Sequence, residues 1–373
     1  MKITGIDIYD VYLPYAGGEY RLSGGRVYHG FDAAIVCIKT DAGLEGWGES
    51  TPFGASYIGQ HAGGVHAALA ILAPSVIGMD PRHFDRINDR MDMVMKGQLA
   101  AKAAIDAALW DITGKAMDMA VVDMLGGRIA DPVPVISSIG SDDPEAMRAN
   151  VARHREKGFK GHSVKIGASE DEGGPALDAE RITSCLADRK AGEWFLADAN
   201  GGLSVEHALR MMAMIPDGTD FVLEAPCATW AETMSLRARL QHPLLLDELI
   251  ESEADIIHAI RHDLCDGVGL KITKQGGLTR SRRQRDICTA AGLVMSVQDT
   301  VGSDIAFAAI LHMAQSTPRH VLRCALDPRA MVKLTTADFD APIIDGGVVA
   351  PDSPGLGISP RLESLGAPVT TYS

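Results

Sequence analysis

At 373 residues, 46% hydrophobic and 23% charged, the chain is long enough to bury a large core as a barrel plus a smaller domain. A formal net charge of −14 argues against nucleic acid or an anionic membrane surface as partner, since either needs a basic footprint. The six cysteines (Cys37, Cys185, Cys227, Cys265, Cys288, Cys324) form no CxxC pair, which argues against a zinc site or disulfide framework and predicts reduced, buried thiols.

The sequence Met1-Lys-Ile-Thr-Gly-Ile runs straight into strand-like alternation, and no apolar run approaches membrane-spanning length. No membrane association and a cytoplasmic location are therefore expected. Lys2 to Pro14 and Ala33 to Gly48 alternate like antiparallel strands, with a turn at Asp41-Ala-Gly43. Two stretches rich in Gly, Ser and Tyr, 15–30 and 51–59, read as mobile loops. Lys102 to Lys115 places apolar residues three and four apart, the pattern of an amphipathic helix. Residues 1–128 thus read as a small α+β domain.

From Val133 onward, strand and helix sequence alternate. The strand-like segments are Val133–Gly140, His162–Gly167, Phe195–Asn200, Phe221–Pro226, Leu244–Glu248, Val268–Lys274, Val294–Asp299 and Val321–Asp327. An open doubly wound sheet would carry a glycine-rich phosphate loop after its first strand, and none is present. The prediction is an α/β protein whose residues 129–330 form a (β/α)8-type, TIM-like barrel. Residues 331–373, rich in Pro and Gly, are expected to return to the N-terminal sheet.

Three successive barrel segments end in an acid, Asp198, Glu224 and Asp247, spaced by 26 and 23 residues, and Lys271 follows 24 residues later. In such a barrel the C-terminal strand ends carry the chemistry. Three neighbouring carboxylates would raise one another's pKa unless a cation sat among them. With only oxygen ligands on offer, Mg²⁺ is the expected metal. A lone acid after a strand is more often a helix cap; it is the repetition, with matched lysines, that points to a site.

Residues two apart on a strand share a face. That rule groups Ser163 with Lys165, Asp198 with Asn200 and Lys271 with Thr273, and sends Val164 and Ile166 to the helix layer. Strands two and six of eight are diametrically opposed, so Lys165 and Lys271 should face each other across the pocket. A substrate carboxylate held at the metal would then have its α-carbon between two lysines, an arrangement that suits removal of an α-proton. Burial, the metal and the opposing ammonium are all expected to lower the base lysine's pKa. Lys274 and Glu248 read as neighbours supporting the ligands, and Trp47, Tyr57, Cys324 and Asp327 as candidates to cover or line the pocket. His162 has the wrong parity and His29 lies in a loop.

These residues, with Ala101-Lys-Ala-Ala-Ile-Asp-Ala-Ala-Leu-Trp-Asp-Ile-Thr-Gly-Lys115, Leu125-Gly-Gly and Lys271-Ile-Thr-Lys-Gln-Gly-Gly277, resemble the enolase superfamily, muconate lactonizing enzyme subgroup, over essentially the whole chain. The resemblance implies a Mg²⁺-stabilised enediolate with a lysine base, and a capping domain whose two loops close over the barrel mouth. It also implies that Asp299, at the end of the seventh strand, is an acid that would pair with a ring ammonium, parity leaving open whether Gln298 or Asp299 points inward, and it implies a symmetric homo-oligomer. The subgroup usually carries Lys-x-Lys on the second barrel strand, whereas this chain has Ser163-Val-Lys165. Together with Val135-Ile-Ser-Ser-Ile139 and Leu22-Ser-Gly-Gly-Arg26, this is similar to the branch that dehydrates cis-3-hydroxy-L-proline. The expected activity is dehydration of a proline-type carboxylate to Δ1-pyrroline-2-carboxylate with some competing 2-epimerisation. The alternative is a racemase or epimerase of a proline betaine, a hydroxyproline betaine or a dipeptide.

Overall fold

The computed structural model describes every residue from Met1 to Ser373. Three antiparallel strands open the chain: β1 (Ile3–Pro14), β2 (Gly30–Thr40) and β3 (Glu45–Ser50). Alternation in β1 and β2 buries both faces of this sheet. Ile6, Ile8, Val36 and Ile38 pack under the helices α1 (Ala62–Val76), α2 (Phe84–Val94) and α3 (Leu99–Met117). Tyr9, Val11, Leu13, Ile35 and Cys37 face the other way, into the main core shared with the barrel.

The barrel is a closed ring of eight parallel strands. In chain order they are β4 (Val133–Ile139), β5 (Gly161–Lys165), β6 (Trp194–Asp198), β7 (Val222–Glu224), β8 (Leu244–Leu246), β9 (Gly267–Lys271), β10 (Val294–Gln298) and β11 (Leu322–Leu326). The ring closes where Ala325 and Leu326 of β11 pair with Val135 and Ile136 of β4. Val164 and Ile166 pack outward with Met147, Val151 and Ile182 of the helix layer, while Ile136, Leu196, Cys324 and Leu326 fill a layer of the barrel interior.

Two departures from strict (β/α)8 geometry bear on the site. After β9 the chain turns at once into a short helix, α4 (Ile272–Gln275), before α5 (Leu278–Ala291), so Thr273 is not on a strand and does not share the inward face of Lys271. After β10 comes α6 (Asp304–Gln315), but β11 is followed only by a single 3-10 turn, Pro328–Ala330. From there the chain runs back along the barrel, Gly347 and Val348 pairing antiparallel with Pro134 and Val133 of β4, and ends in β12 (Thr370–Tyr372), which pairs with Ile6 to Ile8 of β1. The six cysteines are free and buried, and no helix is long and apolar enough to cross a membrane.

Candidate active site

The C-terminal ends of β5 to β9 bring Lys165, Asp198, Glu224, Asp247 and Lys271 to one end of the barrel. Register places them level: Lys165 pairs with Asp198, and Asp198 with Glu224. All five are buried, the three acids to within 2% exposure. Lys165 Nζ donates to Asp198 Oδ2, and Lys271 Nζ lies 2.6 Å from Asp247 Oδ2. Lys274, one turn into α4, donates to Asp247 Oδ1 at 2.9 Å and to its carbonyl. Asn200 Nδ2 bridges Asp198 Oδ2, at 3.1 Å, and Glu248 Oε1, at 3.0 Å.

Electrostatics divides the acids. Burial and the charges of Asp198 and Asp247 push the Glu224 carboxyl well above its usual range. Burial also acts against ionisation of Asp247, but Lys271 and Lys274 overcome it and hold that carboxyl below its ordinary value. Glu248 is pushed up to about 7 by burial and then by Asp247 and Asp198. The two lysines differ from expectation. Burial pulls both down, and for Lys271 the charge of Lys165 adds to this, yet the adjacent carboxylates outweigh these effects and raise both above the ordinary lysine value. In this arrangement they are ammonium groups, and either becomes a base only if its carboxylate partner is engaged elsewhere.

Ser163 stands two residues before Lys165 on the same inward face. It is 6% exposed, lines the cavity, and its hydroxyl has no protein partner although it is not sealed from the cavity. Asp299 lies at the cavity edge, and its carboxylate accepts from Thr273 N and Oγ1 and from Thr300 N, fixing the start of α4. Burial pushes it up to about 7, and no protein cation pairs with it.

The two loops form a cover with structure of its own. Segment 15–30 contains a two-stranded ribbon, Tyr20–Leu22 with Arg26–Tyr28. The second loop inserts Phe53 among Phe31, Tyr28 and Tyr20, at ring-centroid distances of 4.7, 4.7 and 5.6 Å. Arg26 ties the cover down, donating to Ser56 O and to Asn200 O, both at 3.2 Å. Ser23 seats against Gly167 and Gly202, where a Cβ would stand 2.4 and 2.5 Å from its own. Tyr57 reaches deepest: its hydroxyl donates to Asp247 Oδ2 at 3.1 Å and accepts from Lys271. The cavity beneath this cover is about 30 Å³, room for a water but not for an organic substrate.

Three candidates lie elsewhere. Trp47 packs on Tyr9 inside the main core. Cys324 sits in the barrel interior against Ser296 Oγ, at 2.9 Å, and Asp327 caps the turn after β11 and pairs with Arg329. His162, as its parity requires, points away from the cavity and meets Ser137 Oγ at 3.0 Å. Sequence reasoning passed over Tyr20, hydrogen-bonded to Ser138 at 2.5 Å, and left Gln298 undecided. Gln298 reaches Glu224 Oε1 at 3.3 Å. Its position at the end of β10 was the available signal.

Comparison with known proteins gives a consistent picture. Residues 146–364 match the enolase C-terminal domain-like family, and residues 27–126 the mandelate racemase/muconate lactonizing enzyme N-terminal domain. The chain is 36% identical over 373 residues to cis-3-hydroxy-L-proline dehydratase from Roseibium aggregatum, covering 100% of both. It is 28% identical to N-succinyl-L-Arg/Lys racemase from Bacillus cereus, covering 98% of this chain and 97% of that one. A crystal structure of a mandelate racemase/muconate lactonizing enzyme-type protein from Roseovarius nubinhibens, complexed with magnesium, superposes with a TM-score of 0.99 at 67% identity over all of both chains.

Proposed function

The chain belongs to the mandelate racemase/muconate lactonizing enzyme group of the enolase superfamily, and from that premise we propose that it dehydrates cis-3-hydroxy-L-proline, or a close relative, to Δ1-pyrroline-2-carboxylate. The observation that carries this reading is the free Ser163 hydroxyl beside Lys165, on the strand opposite Lys271 in the ring. In the cis isomer the α-hydrogen and the 3-hydroxyl lie on opposite faces of the ring. Elimination then needs a base from one side and a proton donor from the other. Lys271 takes the α-proton, and the Lys165–Ser163 side protonates the departing hydroxyl as water. The enamine left behind tautomerises to the pyrroline.

The donor set suits Mg²⁺: Asp198, Glu224 and Asp247 offer only oxygen, on adjacent strands. Two neighbouring buried atoms, Asn200 Oδ1 and Glu248 Oε2, have no hydrogen-bond partner. No three acidic side chains converge as a ready cage: Asp198 and Asp247 face Lys165 and Lys271. A cation drawing on Asp247 would weaken the charge that keeps Lys271 protonated. Bound there, the cation would offset the negative charge that builds on the substrate carboxylate as the α-proton leaves.

The racemase relative supports a second reading, 1,1-proton transfer between the same lysines without loss of water. ¹H NMR of the protein with Mg²⁺ in D₂O and a panel of proline derivatives separates the two. Consumption of cis-3-hydroxy-L-proline with appearance of the pyrroline supports dehydration. If that compound stays intact while a betaine or dipeptide exchanges its α-proton, the protein is an epimerase.

A further inference from the structure

Glu224, the central acid of the three, is the one with no cation against it. Asp198 is held by Lys165 and Asn200, and Asp247 by Lys271, Lys274 and Tyr57. The protein offers Glu224 a single side-chain donor, Gln298 Nε2 at 3.3 Å, reaching from the seventh barrel strand to the fourth. The same nitrogen donates to Ser296 Oγ at 2.7 Å, and Ser296 Oγ in turn meets Cys324 Sγ at 2.9 Å. All three supporting residues are buried.

The orientation of this amide is fixed by chemistry. With Glu224 ionised, as a metal ligand must be, the amide turned over would set a carbonyl oxygen against the carboxylate, two acceptors facing each other. With Nε2 toward Glu224, each of its two hydrogens has an acceptor, and Oε1 is left without a protein partner but open to the cavity. A carboxylate otherwise free to swing is thereby tethered by a group that is itself anchored on its own strand. We propose that Gln298, anchored through Ser296, is the positioning residue that aims Glu224 at the ion. This rests on the reading of Asp198, Glu224 and Asp247 as the metal ligands. Outer partners of this kind change metal affinity without touching the metal.

Two measurements on the full chain test it. In protein labelled with [¹⁵N]glutamine, the Nε2 proton pair of Gln298 is identified as the signal lost in Gln298→Met. It should move in both Glu224→Gln and Ser296→Ala; a pair unmoved by either overturns the proposal whether or not the protein binds a metal. In calorimetry with Mg²⁺ alone, Gln298→Met should weaken binding about tenfold or more, and Ser296→Ala should weaken it less. Unchanged affinity in a folded Gln298→Met also overturns it. If Gln298→Met does not fold, Ser296→Ala carries the calorimetric test, and unchanged affinity there counts against the proposal. A wild-type protein that binds no Mg²⁺ refutes the metal-site reading instead, and the labelled signal still decides whether Gln298 holds Glu224.

Discussion

The hydroxyl of Tyr57, carried on the loop above the barrel mouth, donates to Asp247 Oδ2 at 3.1 Å, so the cover and the floor of the site are joined through one side chain. The same oxygen accepts from Lys271, whose ammonium also stands 4.8 Å from the Tyr57 ring centroid. Removing the hydroxyl should loosen the closed state by about 1 kcal/mol, the net worth of one hydrogen bond. Tyr57→Phe is expected to speed amide hydrogen exchange in segment 51–59 several-fold. Unchanged exchange there would mean that the aromatic cluster around Phe53 holds the cover unaided.

Lysine substitutions separate the two sides of the cavity. Lys271→Ala should reduce α-proton abstraction by about 10²–10⁴-fold, the usual share of a positioned base. Lys165→Ala should lower dehydration comparably while leaving some deuterium uptake at the α-carbon. The opposite pattern would exchange their roles.

Ser163→Ala should shift partitioning. If the hydroxyl helps water leave, the ratio of pyrroline formed to deuterium incorporated falls, with Mg²⁺ binding intact. A ratio equal to that of the parent protein would make Ser163 a filler of space.

Gly202 tests the seating of the cover. An added Cβ would lie 2.5 Å from Ser23 Cβ and 2.9 Å from Ala199 O. Gly202→Ala should raise KM more than it lowers kcat and, because Ala199 O must also give way, lower the melting temperature modestly, and Ser23→Gly added to it should restore KM in part. A large fall in melting temperature would place the damage in the barrel instead.

Acid should destabilise the fold through three buried histidines. Burial holds His154, His162 and His312 down to about 4, against an unfolded value near 6.5. Below 6.5 the unfolded chain binds protons that the folded one refuses, so stability is full above pH 6.5 and falls progressively toward pH 4. At its limit each residue removes up to roughly 3 kcal/mol. His312 is the most diagnostic: it is fully buried between Val122 N and Leu356 O, at 3.1 Å each. Denaturant titrations from pH 7 to 4 should show a loss that is smaller in His312→Asn, and an identical slope would argue against the assignment.

The barrel was legible because periodicity in both helix and strand survives burial, and because charge at the ends of apolar strands is costly to bury unless it is paired or binds a counter-ion. Strand parity also placed Ser163, Lys165 and His162 on the correct faces. It failed at Thr273, where the strand ends at Lys271 and a helix begins, a change that no alternation signals. Asp299 does line the cavity, but that its carboxylate also accepts from Thr273 and Thr300 and fixes the start of α4 was not legible, because the helix start was not. The lysine pKa directions depended on side-chain rotamers, which no sequence pattern encodes. Strand position could bring Gln298 into consideration, but its partner Glu224, 74 residues away across the barrel, leaves no local signal.

Strand β12 carries a consequence for synthesis. Thr371 Oγ1 donates to Asp7 Oδ1 across 364 residues, and the edge strand of the N-terminal sheet comes from beyond the barrel. On the ribosome the strand β1 emerges early and must wait, one edge unpaired, until the barrel has been translated. Such long-range pairing slows folding and leaves a strand edge open to other chains meanwhile. The domain that shields the chemistry is thus itself in need of shelter for most of its manufacture.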